Sequence, residues 1–398
     1  MSIPNIREFS TKHWQPLALY GGLFVLLAAL LTMRLGEGAL LPGYSATALH
    51  TYESSLNFST ILHHPLNAPF LLLTHGIIVL HTHHTLLILR GITAGLGLAT
   101  LVLFCVIVRY WHGTRTALFG TLLLGTSSWF LPTARSGTPL ILTFGLFALI
   151  ACGVWLRATA SGIAVLLGLV IAALLVYVPG MIWLIGLGIV WQWHTLDRAF
   201  KKNLVAVTLA GFLFVALIAP LVWSVIHTPA LIKPLLNLPD QGWPVPLTVL
   251  HNLIDVPINV FIHGKPDAPT PIGQLPVLDV FGTIMFFLGG YVYLRHLGLH
   301  RSRLLLAIFI GSGAVVSLGG SMGLSLLVPF LYLIIAVGVG YMLDQWFTKF
   351  PRNPIAQAIG MGVMSAVVLL TVSYHLRLYF VAWPQNAATQ SAFTVREP

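Results

Sequence analysis

Charge is what this chain has least of, and acidic charge least of all. Asp and Glu number 10 among 398 residues, Lys and Arg number 20, and 8% of positions are charged. A soluble domain carries about a quarter charged residues, so a water-soluble globule is excluded. Cys105 and Cys152, the two cysteines, both sit inside apolar runs and are read as packing residues that carry no disulfide signal. No basic run exceeds Lys201-Lys202, so the net charge of +10 is dispersed and does not point to a nucleic-acid partner. No phosphate-cradling P-loop sequence occurs, and no nucleotide cofactor is implied. Short segments of alternating polarity, the mark of a membrane β-barrel, are missing too.

What the chain has instead is apolar length. Hydrophobic residues make up 57% of it, in long runs that recur from Leu17 almost to the C-terminus. Spanning the hydrocarbon core takes about 20 such residues. The expected fold is all-α, a polytopic transmembrane helical bundle of about eleven spans forming one membrane domain over 1–398. Arg7 and Lys12 precede the first run as in a signal peptide. That run ends at Met33-Arg34 without a small-x-small cleavage signal, so it is read as a retained first span.

Orientation turns on Pro65-Leu66-Asn67-Ala68-Pro69 and the apolar run that follows it to His81-Thr82-His83-His84. About 14 apolar residues rise only about 21 Å as a helix, and Pro65, Asn67, Pro69 and His75 interrupt them. If the run does not cross, thirteen of the twenty basic residues fall on the side of the N-terminus, including those of the compact loops Asp197–Lys202 and Arg295–Arg303. If it crosses, those loops face outward, against the positive-inside bias. The reading is therefore a cytosolic N-terminus and an outer C-terminus in a cell membrane. Two larger outer loops follow: 36–84 with juxtamembrane helices, and the proline-rich 227–276.

The order of these elements resembles the glycosyltransferase-C superfamily, which includes protein O-mannosyltransferases and aminoarabinose transferases. The resemblance rests on Pro65-Leu66-Asn67-Ala68-Pro69, then the Arg-led Leu87-Ile88-Leu89-Arg90-Gly91-Ile92. The basic turn Val108-Arg109-Tyr110-Trp111-His112-Gly113-Thr114-Arg115 and the polar outer turn Thr133-Ala134-Arg135-Ser136-Gly137-Thr138-Pro139 complete it. It runs in order over about 16–200. Members are similar in moving a sugar from a polyprenyl-phosphate donor on the outer side, with a first-loop carboxylate as base. The implied partners are that lipid-linked sugar, membrane lipids, and a lipid, glycan or protein acceptor. Where the family carries its early acid, this chain has Gly43-Tyr44-Ser45-Ala46-Thr47-Ala48.

Such a transfer needs a carboxylate to take the acceptor's proton and cations to hold the leaving phosphate. Glu53 is the candidate base, with Glu37 read as interfacial. Arg90, Arg135, Lys265 and Arg377 are candidates for the lipid phosphate, Arg135 because its guanidinium can grip phosphate bidentately. The histidines of the first loop, among them His63-His64 and His81-x-His83, could ligate a divalent ion. They lack the ordered spacing of a structural zinc site, and no metal is assigned. Asp240, Asp255, Asp267 and Asp279 read as turn formers beside Pro and Gly. The competing function is a non-catalytic protein of the same architecture that binds lipid-linked sugar, or a transporter. A transporter would place ionisable residues in mid-span, where this chain has almost none.

Overall fold

A computed structural model of the chain describes residues 6–35, 50–80, 85–239, 242–264 and 274–386. These residues are helical, with turns between and no strand among them. In chain order the α-helices are α1 (Ile6–Thr32), α2 (Phe58–His63), α3 (Ala68–Leu80), α4 (Thr85–His112), α5 (Thr114–Thr126) and α6 (Phe130–Arg135). They continue as α7 (Leu146–Thr159), α8 (Gly162–Leu175), α9 (Met181–Lys202), α10 (Leu204–His227) and α11 (Pro246–Phe261). The last four are α12 (Val280–Arg295), α13 (His300–Ser317), α14 (Val328–Lys349) and α15 (Pro354–Arg377); a four-residue turn, Ile232–Leu235, lies before α11.

Among the described residues five helical segments are long and apolar enough to cross a membrane: those at Thr85–His112, Pro139–Thr159, Leu204–His227, Val328–Lys349 and Pro354–Ala382. Shorter apolar helices stand beside them, α3 among them. At 13 residues α3 is about 20 Å long, less than the ~30 Å hydrocarbon thickness.

Helix α14 is the axis of the packing, and small residues are why. Its buried run continues unbroken from Val328 to Gly340. Where α14 crosses α12, a Cβ on Gly338 would collide with the Met285 carbonyl, and one on Gly289 with the Ile334 carbonyl. Two backbones therefore touch at a point where only glycine fits. Ala336 likewise fills the space a Cβ on Gly120 of α5 would need. Close backbone approach of this kind is how apolar helices associate where lipid offers no hydrophobic gain.

The structure refines several expectations. The polar segment 132–139 is not an exposed turn: residues 130–135 form α6 and are buried, and a 3-10 segment, Pro139–Gly145, follows. The basic stretch Asp197–Lys202 is not a loop but the end of α9, with Lys201 and Asp197 paired at 2.7 Å. Within the proline-rich 227–276, Pro246 opens α11, a position where the missing N–H costs nothing. Leu247, Leu250, Ile254 and Ile258 form an exposed apolar stripe along α11. Asn57 is the cap of α2: its Oδ1 accepts from the Ser59 amide at 3.1 Å and the Ser59 hydroxyl at 2.7 Å. Both cysteines are free.

Candidate functional site

Two arginines from separate helices are drawn to one place by the end of α1. A helix leaves its last carbonyls without partners, and those of α1 are met from outside. Arg135 donates to the carbonyls of Leu30 and Met33, the latter at 2.6 Å, and Arg90 donates to that of Leu35 at 2.8 Å. Both side chains are buried. A charge at that depth is expensive unless it is paired or satisfied, and here the negative end of the α1 dipole meets it.

The local sequence explains how Arg135 reaches this spot. Gly97 lets α6 settle on α4, since a Cβ there would stand 2.7 Å from that of Ala134. Two residues beyond Arg135, Gly137 has φ +73°, a conformation that side chains resist, and its amide donates to the Thr93 hydroxyl at 3.2 Å. The turn is thereby clamped over Leu89 and Arg90. The aromatic residues of and just after Leu378–Ala382, a short π-helical segment that continues α15, complete the wall. The Arg135 guanidinium lies 5.5 Å from the Tyr379 ring centre and 5.2 Å from that of Phe380. Tyr379 lies within electrostatic reach of Arg90 as well, and stacks on Trp383 with the ring planes 10° apart.

One helical turn from Tyr379 on the same face of α15 is His375, buried, with Nε2 3.8 Å from Asp279 Oδ1. Asp279 caps the start of α12 by accepting from the Gly282 amide at 2.9 Å. Tyr332 and Tyr374 lie within electrostatic reach of this carboxylate. Along this wall three buried donor or acceptor atoms have no partner among the described residues: Arg135 Nε, His375 Nδ1 and Trp383 Nε1. Buried polar atoms are normally satisfied.

The sequence candidates fall unevenly around this wall. Arg90 and Arg135 form it. Arg377 is on the same helix as His375 but exposed, on another face. Glu53 is exposed on the helical turn 50–55, and among the described residues no hydrogen bond or ion pair involves its carboxylate. Lys265, Glu37, Asp240, Asp267 and the histidines at 81, 83 and 84 lie outside the described residues. Among the described residues no three His, Cys, Asp or Glu side chains converge as metal ligands would. His63 and His75 each face a backbone carbonyl, those of Ser59 and Ser55.

The pair Asp279–His375 was not reachable from motif spacing. Asp279 reads in sequence as a turn former, and nearly 100 residues separate it from His375. The usable signal was the i, i+4 spacing of His375 and Tyr379 at the end of an apolar helix, where two polar residues share one face.

No family model matches the chain, and no curated protein matches it in sequence. Its fold is that of ArnT from Cupriavidus metallidurans, known from a crystal structure in the apo state. The TM-score is 0.53 at 14% identity, over 94% of this chain and 74% of that one.

Proposed function

We propose that the protein is a multi-pass membrane glycosyltransferase of the glycosyltransferase-C type, taking sugar from a polyprenyl-phosphate donor. One observation carries the reading: Arg90 and Arg135 converge in a buried wall beside Asp279 and His375. The ArnT-like fold supports it, ArnT being an aminoarabinose transferase of that class. The two guanidiniums already donate to carbonyls at and just beyond the end of α1, and Arg135 Nε, which has no partner among the described residues, is left for a phosphate. In the transfer, an acceptor hydroxyl oxygen bonds to the sugar's anomeric carbon and the carbon–oxygen bond to phosphate breaks. The polyprenyl phosphate leaves with the electron pair, and the arginines balance its charge.

The acceptor's proton needs a base on the outer face. Glu53 is the solvent-facing carboxylate of the first outer loop and holds that role in the primary assignment, with Lys265 and Arg377 as further cations for the lipid. A second assignment is favoured by the geometry of His375, whose Nδ1 is buried without a partner while Nε2 faces Asp279. An aspartate facing one imidazole nitrogen holds the ring in orientation and leaves the other nitrogen to meet a proton.

Purified protein given a radiolabelled polyprenyl-phosphate sugar and envelope acceptors is expected to turn over, with Arg135→Gln abolishing it. Glu53→Gln inactive with His375→Gln active assigns the base to Glu53, and the reverse result assigns it to His375. A folded protein that binds donor but transfers nothing, whatever donor and acceptor are offered, favours the non-catalytic reading.

A further inference from the structure

The opposite end of the bundle carries a second polar feature that the transfer reaction does not use. It lies about 33 Å from Arg90 along α4, at 1.5 Å per residue over the 22 residues to His112. Four helices meet there: the end of α4 with Tyr110 and Trp111, the end of α7 with Arg157, the middle of α9 with Gln192, and the start of α13 with His300 and Arg301. They enclose a cavity of about 760 Å³. Among the described residues no Asp or Glu lines it, whereas Asp344 lines the neighbouring hollow around His112 and Tyr293. Its floor is fixed. Arg301 donates to the Trp111 carbonyl, and the Trp191 indole donates to His300 Nε2 at 3.0 Å. Arg157 is exposed and makes no hydrogen bond or ion pair among the described residues.

Gln192 and Leu304 also line a second, apolar crevice of about 120 Å³ that runs between α7, α8, α9 and α13. Apart from Gln192, its walls are aliphatic side chains with Phe330, Cys152 and the glycines 153, 168 and 188. Gln192 Oε1, at the junction of the two spaces, is buried and without a partner. A polar, acid-free cavity thus opens into an apolar slot between helices, and one unsatisfied acceptor stands at the joint.

We infer that this end binds one phosphate-headgroup membrane lipid, its phosphate between Arg157 and Arg301 and a chain in the slot. The charge is complementary, because two guanidiniums and no carboxylate line the cavity. The slot, walled by aliphatic side chains between helices, matches a hydrocarbon chain in chemistry. The inference does not depend on the glycosyltransferase reading, since it concerns the other end of the molecule.

The test uses the full chain in nanodiscs, with bound lipid measured by native mass spectrometry after competition. Phosphatidylglycerol is expected to be retained at one per chain, and diacylglycerol, which lacks the phosphate, is not. Inorganic phosphate alone is expected not to displace it. Arg157→Gln should lower phosphatidylglycerol occupancy about tenfold, the loss of one charge-assisted contact. Gly188→Leu should do the same from the other side, because a Cβ at 188 meets nothing within 4 Å and the added side chain fills the slot. Gly168→Leu repeats that blockade on α8 if the first variant fails to fold. Equal retention of diacylglycerol, displacement by inorganic phosphate, or unchanged occupancy in folded variants at both Arg157 and the slot would each overturn the lipid site.

Discussion

The two ends of this bundle use arginine in opposite ways. At one, Arg90 and Arg135 are buried and committed to the carbonyls of α1, with aromatic rings packed over Arg135. At the other, Arg157 is exposed at the rim of an open cavity, and only Arg301 is tied to backbone. The first arrangement is rigid before any ligand arrives, which is what stabilising a developing charge requires. The second leaves Arg157 adaptable beside a fixed Arg301, which suits holding a headgroup but not performing chemistry on it.

The contrast can be broken at several levels. The widest disruption is expected from Gly338→Val, which drives a side chain into the Met285 carbonyl where α12 and α14 touch. It should disturb both ends together and leave no monodisperse protein on size exclusion. Next is Arg135→Leu, which strands the Leu30 and Met33 carbonyls; an unpaired buried group costs about 1–3 kcal/mol. A lower Tm together with loss of donor retention is expected, while phosphatidylglycerol binding at the far end stays. Arg135→Lys should not restore donor binding, since one ammonium cannot span two carbonyls and stack on Tyr379.

Asp279→Asn separates cap from charge. Asparagine caps a helix about as well as aspartate, so Tm should hold within about 1 kcal/mol of stability. Turnover should fall more than tenfold if His375 takes the acceptor's proton, and should be unaffected if Glu53 does. The smallest effect is expected at His300. Burial, with the charges of Arg157 and Arg303 beside it, holds its imidazole below the ordinary value, and the Trp191 indole occupies Nε2. The unfolded chain then takes this proton first, so stability present above about pH 6.5 is lost as pH falls through that range. His300→Gln should make the fall in Tm between pH 7.5 and 5.5 slightly shallower than in the unchanged protein.

Much of the fold was legible because hydrophobic length and composition decide it: a helical membrane chain follows from the runs alone, and the interruption at Pro65–Pro69 marked α3 as short. Arg90 and Arg135 were legible as candidates because charge inside apolar sequence demands a reason. Their actual partners were not, since the carbonyls at the end of α1 are backbone atoms of Leu30, Met33 and Leu35, invisible as residue types. Asp279 and His375 were hidden for another cause. Each has a local explanation, as cap and as interfacial polar residue, and only the packing of α15 against the start of α12 adds the second one. The short helix α6 was missed because Pro132 and Gly137 read as a turn, while Gly97 and Thr93, on a different helix, are what shape it.

The hold that Arg135 has on α1 also bears on how the chain is made. The Leu30 carbonyl lies 105 residues ahead of the arginine that satisfies it. At about 5–20 residues per second, α1 waits on the order of 5–20 s with that end unmet. Water or lipid headgroups at the boundary must serve it meanwhile. The first helix can therefore enter the membrane early, but it can be locked in place only after α4 and α6 have arrived. A ribosome stalled before residue 135 should leave α1 present and still free to shift.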